Sequence, residues 1–138
     1  HPFTMATTTA TLTLSSADLT GDALALTTIT TLSKAGTATG MTETSGVGRK
    51  TTAATAEYTL FDGTDYSAKG AHKVYLKNTS TTTSEYFTVT INAEEIGRLY
   101  AGDWAFLPWG AHDADNDIKI TPSVSTSMTL EYMVISQA

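Results

Sequence analysis

The sequence predicts an all-β protein: an antiparallel β-sandwich, jelly-roll-like, with about eight short strands in one domain. Three observations carry this reading. Runs of alternating apolar and polar residues recur between turn signals. No segment shows the i, i+3, i+4 apolar spacing of an amphipathic helix. Charged residues make up only 16% of the chain, below the usual quarter. Threonine takes their place, and it favours strands while keeping an exposed face wet without charge.

Taken in order, Thr11-Leu12-Thr13-Leu14 alternates as a short strand. Ser15 to Leu19 carries cap-type residues and predicts a single helical turn before Gly21. Ala23 to Leu32 returns to strand composition. Leu24 and Leu26 are in phase there and Ile29 is not, which predicts a bulge or a bend near Thr27-Thr28. From Ser33 to Thr52, Gly36, Gly40, Gly46 and Gly48 lie among Ser, Thr and Ala, so residues 33–52 read as a flexible loop or an arm that orders on contact. Gly46 to Thr51 lacks the glycine before Lys50 that a phosphate-binding loop requires.

The pattern sharpens from Ala56, where Ala56, Tyr58 and Leu60 share a strand face that ends at the turn Phe61 to Asp65. His72 to Lys77 points Val74 and Leu76 inward and two lysines outward, and Tyr86 to Ile91 places Phe87, Val89 and Ile91 on one face. The polar loop between these two runs predicts a β-hairpin. Glu94-Glu95 reads as turn or helix-start charge. After the turn Ala101-Gly102-Asp103, a strand from Trp104 alternates Trp104, Phe106 and Pro108 against Ala105, Leu107 and Trp109. Both of its faces are apolar, so one fills the domain's core and the other needs a second cover, a loop or a neighbouring subunit. Gly110 to Asp117 is a polar connection, Asp117 to Thr121 a strand stopped by Pro122, and Met128 to Ser136 a closing strand with Leu130, Tyr132 and Val134 on one side.

At 138 residues the chain suits one domain that buries roughly 68–70% of its unfolded surface. His1-Pro2-Phe3-Thr4 resembles the scar of a tagging vector, which makes residues 5–138 the domain and Met5 the expected start. A net charge of -6 argues against nucleic acid, since phosphate contacts require clustered Lys and Arg. No apolar run reaches the length of a membrane span or a signal peptide, so no membrane partner is expected. Without cysteine, disulfides and thiolate metal sites are excluded.

Catalytic chemistry is not visible. There is no Gly-x-Ser-x-Gly elbow, and His72 and His112 have no metal-type spacing. His72, in phase with Val74, reads as a strand-end residue with a hydrogen-bonded ring. Adjacent glutamates on a strand face opposite ways, unlike a glycosidase pair. Asp113, Asp115 and Asp117 start like a calcium loop, but Ile118 and Val124 stand where that loop needs glycine and glutamate. The expectation is an acidic turn with no cofactor, the three carboxylates remaining the only metal candidates. Tyr100, Trp104, Phe106, Leu107 and Trp109 are the candidate site, as subunit interface or ligand platform. Each large aromatic buries about 150–250 Å², up to roughly 4–6 kcal/mol. Set against a total stability of about 5–15 kcal/mol, burial in core or interface is the expected outcome. An exposed sugar-stacking platform that binds glycans is the alternative.

Val74 to Ser80, Tyr86 to Ile91, Leu99 to Trp109 and Leu130 to Val134 together resemble segments of small virion structural proteins of tailed bacteriophages. The shared features are a leucine-lysine-asparagine strand, a glycine-acid-aromatic strand running to leucine-proline, and a closing glutamate-tyrosine strand. The resemblance covers the second half of the chain. It implies a non-enzymatic jelly-roll or sandwich component of the virion, a head decoration or fibre-associated subunit. Such a subunit is often trimeric and docks to other capsid or tail proteins. It carries no active-site residues to transfer.

Overall fold

Alternating residues pair into antiparallel strands in the structure, a computed structural model that describes residues 7–69 and 71–137. The reading of residues 1–4 as a vector scar lies outside the described residues. The elements are β1 (Thr9–Ser16), β2 (Leu24–Thr31), β3 (Glu43–Thr44), β4 (Gly48–Thr52), β5 (Tyr58–Phe61), α1 (Gly63–Tyr66), β6 (His72–Asn78), β7 (Tyr86–Ile91), β8 (Glu94–Tyr100), β9 (Trp104–Pro108), β10 (Ile118–Pro122) and β11 (Met128–Ser136). No helix among the described residues is long and apolar enough to cross a membrane.

Two main sheets form, neither closed into a barrel. One runs β5-β10-β7-β8; the other runs β3-β11-β6-β9, with β4 beside β3 on the same edge of β11. Their inward residues join into one cluster. Phe61, Phe87, Val89, Leu99, Ile118 and Ile120 come from the first sheet, and Val74, Leu76, Met128, Leu130 and Val134 from the second. Trp109 and Ala111, just past β9, complete it. Strand β6 is buried at every second residue from His72 to Asn78, as its alternation requires. The opposite face of β11 holds a smaller cluster in which Leu32, Met41 and Ile135 are buried and Ala10 and Met133 pack alongside.

β1 and β2 form a separate two-stranded ribbon, paired from Thr9↔Thr31 to Ser16↔Leu24 without interruption. The bulge expected at Thr27-Thr28 is therefore absent. Leu26 and Ile29 lie out of phase because they belong to opposite faces of an exposed ribbon. The helical turn expected at Ser15 to Leu19 is also absent: Ser16 Oγ accepts the Leu19 amide at 3.0 Å in the ribbon's end loop. A capping hydroxyl serves a turn equally well.

Four further expectations change. Residues 33–52 contain β3 and β4, and Gly48 sits where an added Cβ would fall 2.8 Å from the Tyr132 ring. The turn after Phe61 winds into α1, capped by Asp62, whose carboxylate accepts the Thr64 amide at 2.9 Å. The expected β6-β7 hairpin does not form. β6 pairs with β11 and β9, whereas β7 pairs with β10 and β8, so the polar loop crosses from one sheet to the other. Fully buried Asn78 anchors that crossing, donating from Nδ2 to Leu99 O and accepting the Ser80 amide on Oδ1, both at 2.9 Å. The actual hairpin is β7-β8, turned at Asn92 and Ala93 with φ of 52° and 63°. Those values suit a two-residue turn of the primed type. Glu94-Glu95 is accordingly strand, not turn or helix start.

Candidate functional site

Cross-strand pairing on the outer face of the β11-β6-β9 sheet sets Lys73 beside Pro108, Tyr75 beside Phe106 and Lys77 beside Trp104. These side chains alternate with the buried ones on β6 and β9, so they point away from the core. Trp104 is 53% exposed and Phe106 38%. One row further, Glu131 of β11 accepts from Tyr75 Oη at 2.9 Å and from Arg49 Nη2 at 3.0 Å. Those two contacts hold the Glu131 carboxyl below the usual carboxylate range, the tyrosine hydroxyl contributing most. Burial, then the Glu131 contact, pushes the Tyr75 hydroxyl up. The outer face is thus an aromatic strip with an ordered polar border.

The β1-β2 ribbon overhangs this strip. Its base is tied down by Leu32 N donating to Thr8 O at 2.8 Å and by the small cluster of Leu32, Met41 and Ile135. Between ribbon and sheet lies a cleft of about 390 Å³, walled by Ala10, Leu12, Thr28 and Thr30 on one side and Tyr75, Trp104 and Phe106 on the other. The ribbon face that contributes Ala10 and Leu12 continues outward through Leu14, Leu24 and Leu26, as the register requires.

The five aromatic and apolar candidates do not form one surface. Trp104 and Phe106 belong to the outer strip, and Leu107 is half-buried against the main core. Trp109 is 4% exposed. It packs 5.6 Å from Phe61, 5.2 Å from Tyr66 and 5.5 Å from His72, and donates from Nε1 to Asn116 O at 2.7 Å. Tyr100 ends β8 in the other sheet, its ring 5.1 Å from Tyr86, over which the Arg98 guanidinium lies at 4.3 Å. Sequence proximity placed Tyr100 with Trp104, but the turn between them changes sheets. Tyr75 was missed; its opposition to Phe106 becomes legible only once β6 and β9 are known to pair.

Side chains of the acidic loop are occupied with backbone groups of the loop itself and of α1. Asp113 Oδ1 accepts the Asp115 amide at 2.9 Å, Asp117 Oδ1 accepts the Gly63 amide at 2.7 Å, and Asn116 Nδ2 donates to Gly110 O at 2.6 Å. Among the described residues no group of three or more His, Asp or Glu is arranged to hold a metal ion. His72 is buried, and contrary to expectation neither ring nitrogen has a hydrogen-bond partner in the protein. Burial lowers its pKa, with Lys69 and His112 adding to the effect.

Set against models of known protein families and against curated proteins, the chain matches none.

Proposed function

We propose that this chain is a non-enzymatic structural subunit of a tailed-phage particle, working by self-association and by docking to other particle subunits. The fold supports this through its pairing scheme, which we read as a jelly-roll sandwich. From β4 onward the first strand pairs with the last, β4 with β11, then β5 with β10, β6 with β9 and β7 with β8. A long antiparallel hairpin rolled over on itself gives that nesting, and jelly rolls of this kind recur in viral capsid and lectin domains. Fold alone does not assign function. The observation that carries the reading is the aromatic strip of exposed Trp104 and Phe106 with half-buried Tyr75, only partly sheltered by the overhanging ribbon. Surfaces of this composition characterise interfaces that assembly covers. Light scattering at high micromolar concentration tests it: an oligomeric mass supports self-association, and a strict monomer overturns it.

A second reading has an observation of its own. The cleft falls within the roughly 300–1,000 Å³ of small-ligand sites, and threonines line it opposite its aromatic wall. This suits a glycan-binding or receptor-binding module with Trp104 as stacking surface. Tryptophan emission that shifts on addition of glycans to monomeric protein favours this reading over the first.

A further inference from the structure

We propose that the β1-β2 ribbon is an exchange arm that seats on the aromatic strip of a second copy of the same chain, reciprocally, within a two-fold pair. This rests on the self-association reading above and names the surfaces that perform it.

The ribbon cannot account for itself. A lone two-stranded hairpin is marginal in water, and this one meets its own chain only through the open cleft that Ala10, Leu12, Thr28 and Thr30 share with the strip, while Leu14 and Leu26 further out are exposed. Its faces differ sharply. Paired residues place Ala10, Leu12, Leu14, Leu24 and Leu26 on one side, with Ser16, Thr28 and Thr30 among them, and Thr9, Thr11, Thr13, Ser15, Thr27 and Thr31 with Ala25 and Ile29 on the other. Neither strand carries a charge. Exposed sheet edges ordinarily carry lysine, proline or bulges that prevent pairing with another chain, and this ribbon has none of them.

Charge marks the occupant. Between Thr7 and Ser33 the only charges are Asp18 and Asp22, which flank the 74%-exposed Leu19 in the ribbon's end loop. The strip is bordered by Lys73 and Lys77, neither within ion-pair distance of a carboxylate among the described residues, and by Glu131, which lies across from Lys77 and is already paired with Arg49. An apolar arm with an acidic tip therefore meets an apolar strip with a basic border, both within one sequence.

Area decides between one arm and two. Eight residues per strand at about 3.4 Å each, in a ribbon about 10 Å wide, give a face of roughly 270 Å². One arm seated on one body buries about 540 Å² counting both sides, well below the roughly 1,000 Å² a specific interface needs. Two reciprocal arms bury about 1,080 Å² and reach it. The trimer implied by the phage resemblance would place one arm at each interface; the two-fold pair places both at one.

Sedimentation equilibrium on face-specific variants tests the arm. Leu14→Lys with Leu26→Lys, both exposed and hence compatible with folding, is expected to give a monomer, while Ile29→Lys on the threonine face leaves a two-chain mass. Far-UV circular dichroism checks that the body of each variant is folded. Asp18→Lys with Asp22→Lys should weaken the pair about tenfold, and adding Lys73→Glu with Lys77→Glu should restore it. A leucine-face variant that stays paired, an Ile29→Lys variant that dissociates equally, or charge reversals that fail to compensate would each overturn the arm while the self-association reading stands. A wild-type trimer does the same. A monomeric wild type overturns both.

Discussion

Replacing Trp109 and then Trp104 by alanine measures how differently the two faces of β9 and its extension are covered. A tryptophan buries up to about 250 Å². At 4% exposure for Trp109, about 240 Å² is removed from water, worth up to roughly 6 kcal/mol at 25 cal/mol per Å². Correcting for a compact unfolded chain brings this to about 4–5 kcal/mol, in line with the usual cost of emptying a large aromatic site. The indole Nε1 bond to Asn116 O is lost as well. At 53% exposure for Trp104, only about 120 Å² is covered, or roughly 2 kcal/mol after the same correction. In a chain of this size 1 kcal/mol moves the melting temperature by about 3–5 °C. Trp109→Ala should therefore lower Tm by about 12–25 °C and Trp104→Ala by about 6–10 °C. Thermal melts followed by far-UV circular dichroism on dilute protein read this without depending on tryptophan emission. Equal losses, or a larger loss for Trp104→Ala, would refute the assignment of inner and outer faces.

Three other outcomes are expected. Gly63→Ala places a Cβ 2.7 Å from the Ala114 carbonyl oxygen, a backbone atom that cannot swing aside; urea titration should show about 1–3 kcal/mol of destabilisation. Ala93→Gly removes the cost of a left-handed alanine at φ 63°, so the same titration should show a gain of about 0.5–1 kcal/mol. Burial depresses the His72 pKa below 6.5, so the unfolded chain binds the proton more readily than the folded one. Stability then falls as pH drops below about 6.5, a loss that His72→Phe should remove. The depressed Glu131 pKa acts lower, its stabilisation present above 4.5 and lost as pH falls further. Melts between neutral pH and about pH 5 isolate the histidine contribution.

Much of the architecture was legible because a period of two survives in β6, β7, β9 and β11: the sequence sorts their residues onto two faces, and in β6 it also names Val74 and Leu76 as inward, whereas in β9 it leaves open which apolar face is the core. The parity of Trp104 against Trp109 also followed from alternation alone. Pairing partners did not. Alternation reports which face is buried and not which strand lies alongside, so β6 and β7 read as a hairpin although they sit in opposite sheets. β4, with the sequence Gly48 to Thr52, has no apolar alternation and is held through pairing with β11. In β8 a register shift leaves Ile96 extra between Glu95 and Gly97, which breaks the pattern that marks a strand. The aromatic strip was half visible: Trp104 and Phe106 were found, and Tyr75 required knowledge of the sheet.

Whether a second copy covers the outer strip is read from acrylamide quenching of Trp104 emission. In a Trp109→Phe background Trp104 is the only tryptophan. Quenching should fall, and the emission shift to the blue, as concentration drives the mass from one chain to two. Quenching that stays high while the mass doubles would contradict that cover, because the copies would then meet elsewhere and leave the strip in water.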